Sequence, residues 1–231
     1  MKNYKTALIL AGLLGPSIVL AQSAASVPAT AIVSSTAAST SCKLIDPQVF
    51  AQNAVTQVLG VLSQDKSQIG SNFAAVEQDI QTALTPLIGI DIMAQYVVQP
   101  GIWSSASATD QAAFKAAFLK FIIGLYSSPL KDFSNQTIEV YPSRVAWANQ
   151  QNVQINSVIH NPAAGPGADI PVSLILRQQG CSWLFVDFVV DNISALANIQ
   201  AQVQSILQNM KNPGLKDLTA VIVAHNNATS S

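Results

Sequence analysis

Between Asp46 and Leu125 apolar residues return every three or four positions, the spacing of one helix face. Asp46-Pro47 reads as an N-cap followed by proline at the first helical position, and Phe50, Ala54, Val58, Val61 and Leu62 form the stripe behind it. Phe73, Val76, Ile80 and Leu84 repeat the spacing, which predicts a second helix opening at Gly70 and ending at Pro86. A short helix is expected over 91–98, closed by Pro100-Gly101. Thr109 is expected to cap the next helix, whose Phe114, Phe118, Phe121, Ile122 and Leu125 make one broad stripe and which Pro129 breaks or kinks.

From about Thr137 the period changes to two. Segments 137–141, 152–160, 170–177 and 182–190 read as strands, with turns at 162–167 and Gln179-Gly180. They follow one another closely, so an antiparallel meander is expected. Val153, Ile155, Ser157 and Ile159 share a face, and so do Ile170, Val172, Leu174 and Leu176. Strict alternation in the last long strand sets Leu184, Val186, Phe188 and Val190 against Trp183, Phe185, Asp187 and Val189. Ser194 then caps a helix carrying Leu196, Ile199, Val203, Ile206, Leu207 and Met210, stopped at Asn212-Pro213-Gly214. A last short helix holds Leu215, Leu218, Val221 and Ile222. Helices, then strands, then helices predict an α+β fold with helices packed on one face of an antiparallel sheet.

Composition narrows the function. Of 231 residues 49% are hydrophobic and only 10% charged, with 11 basic and 12 acidic side chains. So little positive charge excludes a surface for a phosphate backbone, and no nucleic-acid partner is expected. Lys2 and Lys5 precede an apolar run broken by Gly12, Gly15 and Pro16 and ending in Val19-Leu20-Ala21. This is the pattern of a secretory signal peptide, residues 1–21, and the run is shorter than the roughly 20 residues of a membrane span. The expected layout is that signal peptide, a flexible Ala/Ser/Thr-rich linker over 22–41, one domain over 42–225 with a helical N-terminal half, and a disordered tail over 226–231. Export also makes a disulfide between Cys42 and Cys181 the expected state of the two cysteines, two unpaired buried thiols being the alternative.

Catalytic patterns are sparse. His160 and His225 have no second ligand at metal spacing, and two cysteines cannot make a zinc site. Gly165-Pro166-Gly167 is a turn rather than a phosphate loop, because Pro166 lacks an N–H and a strand follows. The enzymatic alternative is Asp187 or Asp91 as an acid/base beside an apolar ligand.

Several segments, taken in order, resemble one family. Ile90-Asp91-Ile92-Met93-Ala94-Gln95-Tyr96-Val97 is similar to the V-D-F-x-x-M-A-x-x-V segment of the MlaC family, periplasmic phospholipid shuttles once linked to toluene tolerance. Trp103, Ala108-Thr109-Asp110-Gln111, the helix through Tyr126, Gln136-Thr137-Ile138 to Pro142, and Trp183 to Asp187 with Asn192 to Ser194 resemble later family motifs. The resemblance implies a cone-shaped, NTF2-like sheet packed with helices around an apolar cavity, no catalysis, and no cofactor beyond phospholipid cargo. It implies as partners an inner-membrane lipid ABC transporter complex and an outer-membrane lipoprotein complex. Cargo tails are then expected on Met93, Val97, Phe118, Ile122, Val172, Leu174, Leu176, Leu184, Val186, Phe188 and Val190; binding of other apolar ligands is the alternative. Three departures matter, one being that the family is often basic and this chain, with net charge -1, is not. Asn192 stands where the family has Gly, and Asn is the residue that best replaces Gly in a left-handed turn. Ile199-Gln200 stands where the family has Tyr-Arg, which removes a positive charge.

Overall fold

A computed structural model describes residues 42–127, 136–162, 165 and 169–229. The chain divides into two units, Met1–Thr40 and Ser41–Ser231. The expected signal peptide and linker lie outside the described residues, as do Pro129 and the Pro166-Gly167 part of the turn.

In the second unit, helix α1 (Pro47–Gln64) starts where the Asp46 carboxylate accepts the Gln48 N–H at 2.8 Å and Pro47 takes the first helical position. The short α2 (Lys66–Ile69) precedes α3 (Phe73–Leu84), so Gly70 does not open a helix; α3 begins behind Asn72. Then come α4 (Ile90–Val97), α5 (Pro100–Ser105) and α6 (Ala108–Ser127). Pro100 opens α5 instead of closing α4, since the first helical position needs no N–H. Ser107, not Thr109, caps α6: its hydroxyl accepts the Asp110 N–H at 3.1 Å and donates to the Asp110 carboxylate at 2.7 Å.

The sheet contains β1 (Thr137–Val140), β2 (Asn152–His160), β3 (Ile170–Gln179), β4 (Ser182–Val190) and the two-residue β5 (Ile193–Ser194), antiparallel neighbours in chain order. Directly opposed residues share a face. Val140, Ser157, Val172 and Val190 form one inner row, Ile155, Leu174 and Phe188 the next, and Val153, Leu176 and Phe185 a third. The outer face of β2 and β3 carries Asn152, Gln154, Asn156 and Arg177, with Gln154 and Ser173 hydrogen-bonded across the strands at 3.0 Å.

The expected alternation of β4 fails at one residue. Leu176 opposes Phe185 while Ile175 opposes Asp187, so Val186 is a β-bulge. The extra residue reverses the parity beyond it. Trp183, Phe185, Phe188 and Val190 face inward, and Leu184 and Asp187 face outward. Alternation does not mark this bulge, because from Trp183 to Val190 both parities are apolar apart from Asp187.

Helix α1 covers part of the inner face: Phe50 and Ala51 pack with Val140, Val153, Ile155, Leu176 and Trp183, and the Phe50 and Phe185 rings lie 5.2 Å apart. Cys42 and Cys181 are joined by a disulfide with Cα atoms 5.8 Å apart, Ile45 donates its N–H to Cys181 O at 3.0 Å, and the Trp183 indole donates to Ile45 O at 2.8 Å. These bonds stitch the segment before α1 to the β3–β4 hairpin. Helices α7 (Ala195–Gln208) and α8 (Leu215–Thr229) close a second core with α4 and α6. Outward-facing Asp187 anchors the start of α7. Helix α8 also runs into the stretch expected to be a disordered tail: Asn226 is buried and its amide donates to Ala117 O at 3.0 Å, which ties the last turn to α6.

Candidate functional site

The inner face of the sheet changes along its length. At the hairpin end Leu176, Ile155, Val153 and Trp183 are almost fully buried, at 0%, 0%, 2% and 1% exposure. Toward the other end Ile159, Val172, Leu174, Phe188 and Val190 are only half-buried. From Val153 to Ile159 and across to β4 the single polar side chain on this face is Ser157, whose hydroxyl donates to Val172 O at 2.9 Å. The open half is thus a continuous apolar surface with its one hydroxyl proton already engaged.

Five of the sequence-nominated residues, Val172, Leu174, Leu176, Phe188 and Val190, share this face. Leu176 is sealed under α1, and the other four border the open half. Met93, Val97, Phe118, Ile122 and Val186 instead belong to the closed helical core, packed with Ile199 and Val203 of α7 and Leu218 and Ile222 of α8. Leu184 lies on the outer face beside Gly89. The bulge at Val186 accounts for the separation within β4.

Tyr126, in the last turn of α6, was not among the nominated residues. Its ring meets Phe188 edge-on, centroids 4.5 Å apart and planes at 83°. Its hydroxyl pKa is raised above the usual tyrosine value, first by burial and then by the nearby Asp187 carboxylate. The helical stripe ends at Leu125, itself exposed, so periodicity could not pick out the residue after it; the family-like motif through Tyr126 was the available signal.

The two carboxylates of the enzymatic alternative are both engaged. Asp187 accepts the Phe188 N–H at 2.8 Å and the Leu196 N–H at 2.9 Å through one oxygen, and the Ser194 hydroxyl at 2.5 Å through the other. It caps the start of α7 together with Ser194, which accepts the Ala197 N–H at 2.9 Å. Asp91 is exposed and paired with Lys115 at 2.5 Å. Neither stands as an unpartnered base in an apolar pocket.

The departures from the family pattern have structural outcomes. Asn192 adopts φ of 63° beside Asp191 at 50°, the left-handed turn expected of it. Gln200 donates to Tyr96 O at 2.7 Å and Gln204 to Val97 O at 2.9 Å, so α7 caps the end of α4 with neutral amides. His160 sits on the outer face between Asp169 at 3.0 Å and Glu139 at 3.4 Å; its pKa is raised, mainly by the hydrogen bond to Asp169.

Comparison with known proteins places these features in a family context. The family model described as MlaC protein matches residues 52–223. The toluene tolerance protein ttg2D of Pseudomonas putida is 24% identical over 148 residues, 64% of this chain and 66% of that protein, so the match spans just under two thirds of that relative's length. Among solved structures, the phospholipid-binding protein of Ralstonia solanacearum, determined in complex with a phospholipid, aligns with a TM-score of 0.70 at 21% identity, over 81% of this chain and 100% of that one. That likeness shows the fold, an α+β arrangement of helices around a five-stranded antiparallel sheet.

Proposed function

Because the chain belongs to the MlaC family, we propose that it is a periplasmic phospholipid carrier that exchanges cargo with an inner-membrane lipid ABC transporter complex and an outer-membrane lipoprotein complex. The family is periplasmic and its members are non-enzymatic lipid carriers. Residues 1–21 would direct export. The observation that carries the reading is the open apolar half of the inner face, bordered by Val172, Leu174, Phe188 and Val190.

The physical need for such a face is plain. A two-tailed lipid holds about 30 methylenes, and exposing them to water costs on the order of 24 kcal/mol at about 0.8 kcal/mol each. Crossing an aqueous compartment therefore requires a cover for the tails, while the headgroup can remain in water. A chain with 10% charged residues, and with neutral Gln200 where the family has Arg, derives its affinity from the tails.

Lipid extraction from phosphatidylethanolamine/phosphatidylglycerol vesicles tests the reading. The wild-type chain should extract lipid. Leu174→Asp or Phe188→Glu, folded by circular dichroism, should lose about tenfold or more, since each removes one large apolar contact. Equal extraction by those charged variants would contradict the assignment.

A further inference from the structure

We infer that Tyr126 sets the width of the cargo that the inner face accepts. The inference rests on the carrier reading and adds a selecting residue to it. In the open half of the inner face the bordering side chains are aliphatic, Ile159, Val172, Leu174 and Val190, except for the Phe188 ring. That ring is the one Tyr126 meets edge-on at 4.5 Å. The Tyr126 side chain, which also packs on the helical core of α4, α6, α7 and α8, thus covers part of the Phe188 ring and leaves less of it for a second acyl chain.

The obstruction has a fixed position. Phe118, Ile122 and Ile123 are buried along α6, which anchors the helix one turn before Tyr126. The ring then moves only about its two side-chain torsions. Burial, and after it the Asp187 carboxylate, raise the hydroxyl pKa, which keeps the phenol protonated. A neutral ring of constant size on an aliphatic surface discriminates by cross-section, one tail against two, and not by headgroup charge.

The test compares lipids with one headgroup and different tail number. Protein is equilibrated with mixed micelles of one-chain lysophosphatidylcholine and two-chain dioleoylphosphatidylcholine in equal amounts, and the retained ratio is read by native mass spectrometry. Tyr126→Ala should raise the two-chain to one-chain ratio by about threefold or more, within the range one aromatic pair can account for. Tyr126→Phe keeps the ring and should stay within about twofold of wild type. Tyr126→Trp, with a larger ring, should lower the ratio, and this arm decides the question if the alanine variant does not fold. An unchanged ratio in the alanine and tryptophan variants, or a shift in the phenylalanine variant equal to that of alanine, overturns the inference. Failure of the wild-type chain to retain either lipid overturns the carrier reading itself, which is a distinguishable result.

Discussion

Asp187 accepts the backbone N–H of Leu196 at 2.9 Å, a bond from the last long strand to the first turn of α7. The same carboxylate holds the Ser194 hydroxyl, so one side chain fixes both the cap and the entry angle of that helix. Asp187→Ala leaves the Phe188 and Leu196 amides without this acceptor. A loss of about 1–3 kcal/mol in urea unfolding is expected, the range for orphaned buried donors and lost caps. Asp187→Asn retains one acceptor oxygen and should lose less. An alanine variant within about 0.5 kcal/mol of wild type would contradict the structural role.

Two glycines should respond to alanine with opposite signs. Gly89 donates its N–H to Phe185 O at 2.8 Å, and a Cβ there would stand 2.9 Å from Val186 Cγ1 and 3.4 Å from Leu184 Cβ. Val186 is buried and its branched side chain has little room to turn, so Gly89→Ala should destabilise by about 1–3 kcal/mol. Gly60 lies inside α1 with nothing within 4 Å of a new Cβ. Gly60→Ala should therefore stabilise by about 0.5–1 kcal/mol. Thermal melts of both variants check the pair, and a Gly89→Ala melt unchanged from wild type would refute the close contact.

What was legible in the sequence follows from what repeats. Helix stripes such as Phe114, Phe118 and Ile122, and the period of two through Val153, Ile155, Val172 and Leu174, announce elements and faces because burial imposes them. Local polar chemistry was legible where it is unambiguous, as at Asp46-Pro47 and at Ser194. It failed at α6, where Thr109 was the expected cap and Ser107 takes that place through reciprocal bonds with Asp110. The nominated tail-contact residues fall in two places in the fold. Val172, Leu174, Phe188 and Val190 do lie together, but the bulge at Val186 sends Leu184 outward. Met93, Val97, Phe118 and Ile122 have the same apolar character as a ligand wall, yet they lie in a helical core closed by residues a hundred positions away.

The disulfide should contribute strongly to stability. Cys42 and Cys181 close a loop with a sequence separation of 139, for which the chain-entropy model gives about 4–5 kcal/mol. Unfolding midpoints with and without reductant should differ accordingly, and thiol alkylation of unreduced periplasmic protein should find no free thiol. Two alkylated cysteines without reduction would contradict the pairing.

The Asp169–His160–Glu139 group should make stability depend on pH in one direction. Its carboxylates favour charged His160 and raise its pKa above the usual value of about 6.5. The contribution is therefore full below that value and is lost as pH rises through the folded pKa. His160→Gln should be less stable than wild type at mildly acidic pH, with the gap closing as pH rises. Paired thermal melts across that range check the sign, and a gap that widened with pH would contradict it.

The most direct measurement is native mass spectrometry of the chain purified from a periplasmic extract without detergent. If the open half of the inner face holds lipid tails, the folded protein should carry an added mass matching phospholipid, released on denaturation and identified by its fragments. Leu174→Asp should be recovered folded and without that mass. A wild-type chain that carries no lipid, or a Leu174→Asp chain that carries as much as wild type, would contradict the account.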